Sequence, residues 1–206
     1  PPDARVGVDV GGTFTDVVLV GPDGLTTAKV PSTTPQHEGV VAGVEAACGA
    51  AAVDPAAVSR FRHAMTVATN ALLETRGAET ALVTTAGFGD VLSIGRQARP
   101  DLYDQSIARV APLVPDSRRY ELDERATPGG VEQPVDSDAV RDLAADIDVD
   151  AVAVSLLHAY AHPENERRVA EILRTELDVP VSASHEVLGT FREYERTATT
   201  VADAFV

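Results

Sequence analysis

The segment Val8-Asp9-Val10-Gly11-Gly12-Thr13-Phe14-Thr15-Asp16 concentrates residue types that handle phosphate. Two adjacent glycines carry no Cβ, so the backbone turns tightly and lets a ligand approach closely. Successive N–H groups in such a turn form a concavity for an anion. Thr13 and Thr15 add hydroxyl donors, and Asp9 and Asp16 flank the loop. Carboxylates repel a bare phosphate, so this placement points to Mg²⁺ between Asp9 and Asp16 or to a water held for attack. The segment is neither Gly-x-x-x-x-Gly-Lys-Ser/Thr nor Gly-x-Gly-x-x-Gly, and a strand follows it where both of those motifs have a helix.

The elements that must position this loop are legible from period and punctuation. Val6, Val8 and Val10 alternate in a first strand, 16–20 forms a second, and Gly21-Pro22-Asp23-Gly24 turns the chain into a third over 25–30. Such short connections predict an antiparallel meander. Pro35 starts a helix with Val40, Val41, Val44 and Ala47 on one face. Residues 61–65 read as a buried strand, and 66–76 as a helix stopped by Gly77. Residues 81–83 read as another buried strand. Residues 96–135 are irregular and proline-rich, an insertion holding one strand over 118–125. Beyond it, Asp136 or Ser137 caps a helix carrying Val140, Leu143 and Ile147. Residues 151–157 form a buried strand, and Pro163 opens a helix with Glu164 and Glu166 in its first turn, where carboxylates suit the macrodipole. A short strand at 181–184 and a last helix over 190–206 complete an α/β chain, read as one domain over 1–206.

Asp9-x-Gly11-Gly12-Thr13-x-Thr15-Asp16 resembles the first phosphate loop of the actin-like ATPase superfamily. More closely, the chain resembles the N-terminal domain of the hydantoinase A / 5-oxoprolinase family, N-methylhydantoinase A-like proteins included. His63 to Glu74 resembles its His-Gly-Thr-Thr-Val-Ala-Thr-Asn block, with Ala64-Met65 standing where the family has Gly-Thr. Segments 87–92, 94–97, 99–104, 155–160 and 192–197 resemble further blocks. The resemblance implies a ribonuclease H-like, actin-like ATPase lobe, with ATP and Mg²⁺ as cofactors. It implies an ATP-dependent hydrolase of cyclic amides of the hydantoin or 5-oxoproline type, or alternatively a subunit of an ATP-dependent ketone carboxylase. A sugar or small-molecule kinase of the same superfamily is a further alternative, and a non-catalytic nucleotide-binding module is one from another class. A second Asp-x-Gly-Gly-Thr-x-x-Asp loop is absent, and Gly129-Gly130 lacks the flanking Asp and Thr. The expectation is therefore an N-terminal fragment, with the C-terminal half of the same protein, and a second hydantoinase-type subunit, as partners.

Within this frame Asp9, Asp16 and His63 are the candidate catalytic residues, Gly11, Gly12, Thr13 and Thr15 the phosphate cradle, and Thr66, Thr69, Asn70 and Arg96 the substrate contacts. Thr66, Thr69 and Asn70 open a predicted helix, where free N–H groups favour an anion, although ordinary capping explains the same residues. Arg96, Arg99 and Asp101 share a loop, where an arginine can fork onto phosphate or carboxylate or form a structural ion pair. His158 and His162 stand four apart, but Pro163 follows and no third ligand has suitable spacing. Glu195-Arg196 reads as a structural pair.

Composition sets outer bounds. The chain has 206 residues and 17 basic against 32 acidic side chains, a net charge of −15. That balance excludes binding of nucleic acid or an anionic membrane through bulk charge. Basic charge is all arginine apart from Lys29, and the aspartate-rich surface fits adaptation to high salt. A single cysteine, Cys48, cannot form an internal disulfide, and with no basic leader or apolar span in view the expected compartment is the cytoplasm.

Overall fold

A computed structural model describes residues 4–98, 101, 103 and 110–206. The chain divides into two compact units, Pro1–Arg76 and Gly77–Val206.

In the first unit β1 (Ala4–Val10), β2 (Phe14–Gly21) and β3 (Gly24–Pro31) form the expected antiparallel meander, and β4 (Val58–Met65) adds to β1 in parallel. Sheet order is β3-β2-β1-β4. Alternation sends Val6, Val8, Val10, Val17 and Leu19 to one face, where Ala47 and the buried thiol of Cys48 on α1 (Gln36–Ala50) close the core. The helix seats through Gly39, Gly43 and Ala47, spaced four apart, with Val40 and Val44 packed beside them as the period predicts; only Val41 departs from the expected face, at 52% exposure. The reason is steric. A Cβ on Gly43 would lie 2.7 Å from Val17 Cγ2, so glycine brings the helix backbone down onto the sheet and rotates the buried face. β4 also departs from expectation. It is a strand, but an exposed edge strand, with Phe61 and Met65 half open to solvent. The helix after it, α2 (Val67–Glu74), ends before Gly77, because Thr75 takes the left-handed conformation at φ 53° and stops it.

The second unit is a parallel sheet of order β10-β9-β5-β6, built from β5 (Thr80–Thr85), β6 (Arg119–Leu122), β9 (Ala151–Ser155) and β10 (Val181–Ala183). A short helix α3 (Val91–Ile94) follows β5. The strand expected over 118–125 resolves into β6 and β7 (Arg125–Thr127), and β7 pairs with β8 (Gly130–Gln133) in a hairpin. β5 and β9 are buried throughout, because both sheet faces are covered. Ala81, Val83, Val152 and Val154 face α4 (Ser137–Ala145) and α5 (Glu164–Glu176); Leu82, Ala151 and Ala153 face α7 (Glu193–Phe205). Asp136 caps α4 by accepting from the Asp138 N–H at 2.9 Å. Gly77 fits against α7, where a Cβ would lie 2.2 Å from Phe205 O.

Glu166 has a different task from the dipole role read from its position. It is fully buried and accepts from Leu156 N–H at 2.7 Å, His185 N–H at 2.8 Å, and the hydroxyl of Ser184, which opens α6 (Ser184–Val187). The fully buried Arg196 guanidinium stands 3.7 Å from it, and donates to Leu156 O, Ser184 Oγ and Glu193.

Two substitutions on one helix separate packing from propensity. Gly43→Ala should destabilise by about 1–3 kcal/mol through the collision with Val17. Gly49→Ala, with open space around its position, should be neutral or stabilise by up to about 1 kcal/mol. Urea midpoints of the two variants check both signs.

Candidate functional site

The loop between β1 and β2 is closed by its own backbone and held by a serine from β3's far end. Gly11 N–H donates to Phe14 O at 2.9 Å, and a Cβ on Gly11 would lie 3.0 Å from that oxygen. Ser32 N–H donates to Thr13 O at 2.9 Å, and Ser32 Oγ donates to Gly11 O at 2.8 Å. With that proton committed, Ser32 Oγ accepts from the Thr15 hydroxyl at 3.2 Å. The N–H groups of Gly12 and Thr13 have no acceptor among the described residues.

The loop forms one wall of a cavity of about 420 Å³ in the first unit. Ser32, Thr33, Thr34 and Gln36 extend that wall. The facing wall is α2, which presents Val67, Asn70, Ala71 and Glu74 at the i, i+3, i+4, i+7 spacing of one helix face. Arg76 closes the far end. A Cβ on Gly12 would come 3.5 Å from Asn70 Nδ2, so the bare backbone there leaves room between loop and helix. Thr66 is the N-cap residue of α2 but makes no side-chain cap bond; its hydroxyl donates to Val10 O at 3.4 Å. The first turn of α2 thus keeps uncapped N–H groups beside a loop with two more, an arrangement suited to phosphate.

The structure brings four predicted residues together on this cavity: Gly11, Gly12, Thr13 and Asn70. The others lie elsewhere. Thr15 was expected to offer its hydroxyl to a phosphate; it is fully buried on the inward face of β2 and supports Ser32 from beneath. Asp9 and Asp16 are direct cross-strand neighbours on the outer sheet face. Asp16 gives both carboxylate oxygens to Lys29 Nζ, each at 2.9 Å, and Lys29 is its register partner on β3. A row Ala64–Asp9–Asp16–Lys29 therefore crosses all four strands. His63 pairs in register with Val8 and so faces the opposite side of the sheet from Asp9. Thr69 is exposed on α2, off the cavity wall.

Arg96 belongs to the second unit, where it lines a cavity of about 610 Å³. Its Nε donates to Glu195 Oε1 at 2.8 Å, and this bond holds the Glu195 carboxyl below its usual range. Arg99 lies outside the described residues. Asp101 Oδ1 accepts from the Tyr103 N–H at 2.8 Å. Of the His158–His162 pair, His162 Nε2 lies 3.2 Å from the Pro128 carbonyl; no group of three or more His, Cys, Asp or Glu suited to a metal occurs among the described residues. Glu195 and Arg196 do not pair with each other; Arg196 bonds to Glu193.

The sequence-predicted set omitted Ser32, Gln36, Glu74 and Arg76. The hydroxyl-rich run Pro31-Ser32-Thr33-Thr34-Pro35 was the available signal. Its return to the loop depends on the β2–β3 register, which pairs Phe14 with Pro31.

The profile of the hydantoinase/oxoprolinase N-terminal region matches residues 5–177. The chain belongs to this family. This hydantoinase/oxoprolinase region is 35% identical over 217 residues to the caprolactamase subunit alpha of Pseudomonas jessenii, covering 98% of the chain and 31% of the relative. The solved caprolactamase from that organism superimposes with a TM-score of 0.83 at 32% identity, over 98% of the chain and 31% of its own. A nucleotide-free acetone carboxylase structure gives 0.87 at 27% identity, over 100% and 32%. The 5-oxoprolinase of Saccharomyces cerevisiae is 30% identical over 257 residues, 98% of this chain and 19% of that one. The chain thus spans about a third or less of the length of these relatives. Among the described residues no helix is long and apolar enough to cross a membrane.

Ser32→Ala removes one donor to Gly11 O and one acceptor for Thr15. At about 1 kcal/mol per net hydrogen bond, the two lost bonds amount to about 2 kcal/mol, so exchange of the Gly11 N–H held by Phe14 O should quicken by up to about 30-fold. Ser32→Thr should restore protection, and hydrogen-exchange mass spectrometry reads both.

Proposed function

We propose that this chain is the phosphate-binding N-terminal part of an ATP-dependent hydrolase acting on a cyclic amide such as 5-oxoproline or a hydantoin. The observation that carries the reading is the open pair of N–H groups at Gly12 and Thr13, facing an uncapped α2 across a cavity with no Cβ in its way. The relatives named caprolactamase and 5-oxoprolinase support cyclic amides as the substrate class.

The residues present fit a nucleotide's phosphates. Gly12 and Thr13 would donate backbone N–H groups to phosphate oxygens, with the Thr13 hydroxyl beside them, and Asn70 would donate from the facing helix. Asp9 would hold the nucleotide's Mg²⁺ or orient a water, while Lys29 keeps Asp16 neutralised next to it. ATP, when bound, supplies the phosphoryl group that turns an unreactive amide oxygen into a leaving group. The contribution of this chain is placement and charge complementarity before the reaction begins, which costs no reorganisation during it. The rest of the polypeptide, and a second hydantoinase-type subunit, would complete the site.

A ketone carboxylase subunit is the second reading, favoured by the TM-score of 0.87 to acetone carboxylase. Phosphate release by the full-length protein, with its partner subunit, separates the two. Release that depends on 5-oxoproline or hydantoin and ignores bicarbonate supports the amidase; release requiring ketone and bicarbonate overturns it. In the active system Asp9→Ala should lower turnover by on the order of 10²-fold or more. Gly12→Val should abolish ATP binding measured by calorimetry.

A further inference from the structure

The cavity beside the glycine loop has two chemically different ends. At one end lie the loop, the free N–H groups of Gly12 and Thr13, and the N-terminus of α2, all favouring negative charge. At the other end stand Glu74 and Arg76. The helix face that joins them, Val67 through Glu74, rises about 10 Å. Thr75 ends the helix in the left-handed conformation, and Arg76 N–H folds back to Ala71 O at 2.9 Å. That reversal brings Arg76 over the last turn, where its Nη1 lies 3.2 Å from Glu74 Oε2. The Glu74 carboxylate and the helix C-terminus make this end unsuited to a phosphate.

A carboxylate and a guanidinium side by side offer one acceptor edge and one donor edge. A small-ring amide is held cis, so its N–H and C=O lie side by side as the complementary donor and acceptor. We propose that Glu74 and Arg76 form the subsite that reads the ring amide: Glu74 accepts its N–H and Arg76 donates to its carbonyl oxygen. The inference rests on the cyclic-amide reading above and adds the residues that set specificity. It places the carbonyl in the same cavity as the phosphate-binding loop, with both side chains solvent-accessible before substrate enters, at 58% and 82% exposure. Opening their mutual ion pair costs little, because exposed pairs contribute at most about 1 kcal/mol.

The test uses the full-length protein with its partner subunit, and compares an unsubstituted lactam with its N-methyl analogue, which keeps the carbonyl and loses the N–H. The wild type should prefer the lactam by about 10- to 100-fold in kcat/KM, less than a fully buried polar site achieves. Glu74→Leu, which has no acceptor, should collapse that preference to within about threefold, chiefly through KM, and leave the Kd for ATP unchanged. Arg76→Lys should keep part of the activity on the lactam and Arg76→Ala should lose it, again with ATP affinity intact. Lactam turnover with undiminished discrimination in Glu74→Leu overturns the inference alone. Turnover of ketones with bicarbonate and none of lactams overturns the inference together with the amidase reading. Loss of ATP affinity in the Glu74 or Arg76 variants also overturns it, since it would place these residues at the nucleotide.

Discussion

The first unit depends on one serine. A strand that ends in two glycines has no side chains to hold its reversal, and the bond from Gly11 to Phe14 alone leaves the loop's other carbonyls open. Ser32 supplies what is missing, binding Thr13 through its backbone and Gly11 through its hydroxyl, while Thr15 supports it from the buried side. Each of these groups has a single inventory of donors and acceptors, so the proton directions follow from one another. This clamp takes the carbonyls of Gly11 and Thr13, while the N–H groups of Gly12 and Thr13 have no acceptor among the described residues. The meander, with the α1 glycine seat beneath it, exists at this site to bring residue 32 back to residue 11.

The outer sheet face shows the same economy in charge. Aspartates directly opposite on antiparallel strands repel, and a chain of net charge −15 has few cations to place beside them. Its one lysine stands in register with Asp16 and takes both of its oxygens. That leaves Asp9 as the member of the pair not bound by this ammonium. In the second unit the buried Glu166 is satisfied by backbone and hydroxyl donors, with Arg196 close by. Removing either partner of such a buried pair is costly because the survivor is left uncompensated.

Much of this was legible in the residues. The alternation of Val6, Val8 and Val10, the Gly-Pro-Asp-Gly turn, the apolar runs of β5 and β9 and the Asp136 cap all appear where local chemistry places them. The glycine loop itself was legible because its residue types have few other uses in that order. What escaped has a common physical origin, dependence on neighbours distant in sequence. Val41 lost its place on the buried face because Gly39 and Gly43 let α1 approach the sheet. β4 was expected to be buried for its Phe61 and Met65, but its Arg60, Arg62 and His63 suit the exposed edge that it occupies. Thr15 and His63 point where strand parity sends them, and parity is fixed by the ladder rather than by the residue. Ser32 looked like connector chemistry until the β2–β3 register returned it to the loop. Glu166 looked like a dipole partner until the end of β9 and the start of α6 closed over it.

Cys48 gives the first unit a readout of its own. It is the only thiol in the chain, it lies in the core beneath β1 and β2, and burial together with the nearby Asp54 carboxylate raises its pKa. A closed first unit therefore shields the thiol and keeps it protonated, so alkylating reagents react only through openings of that unit. The second unit contains no cysteine and stays silent in such an assay. Alkylation rate is thus a clock for opening of the half that carries the glycine loop, readable in the intact chain without any introduced label.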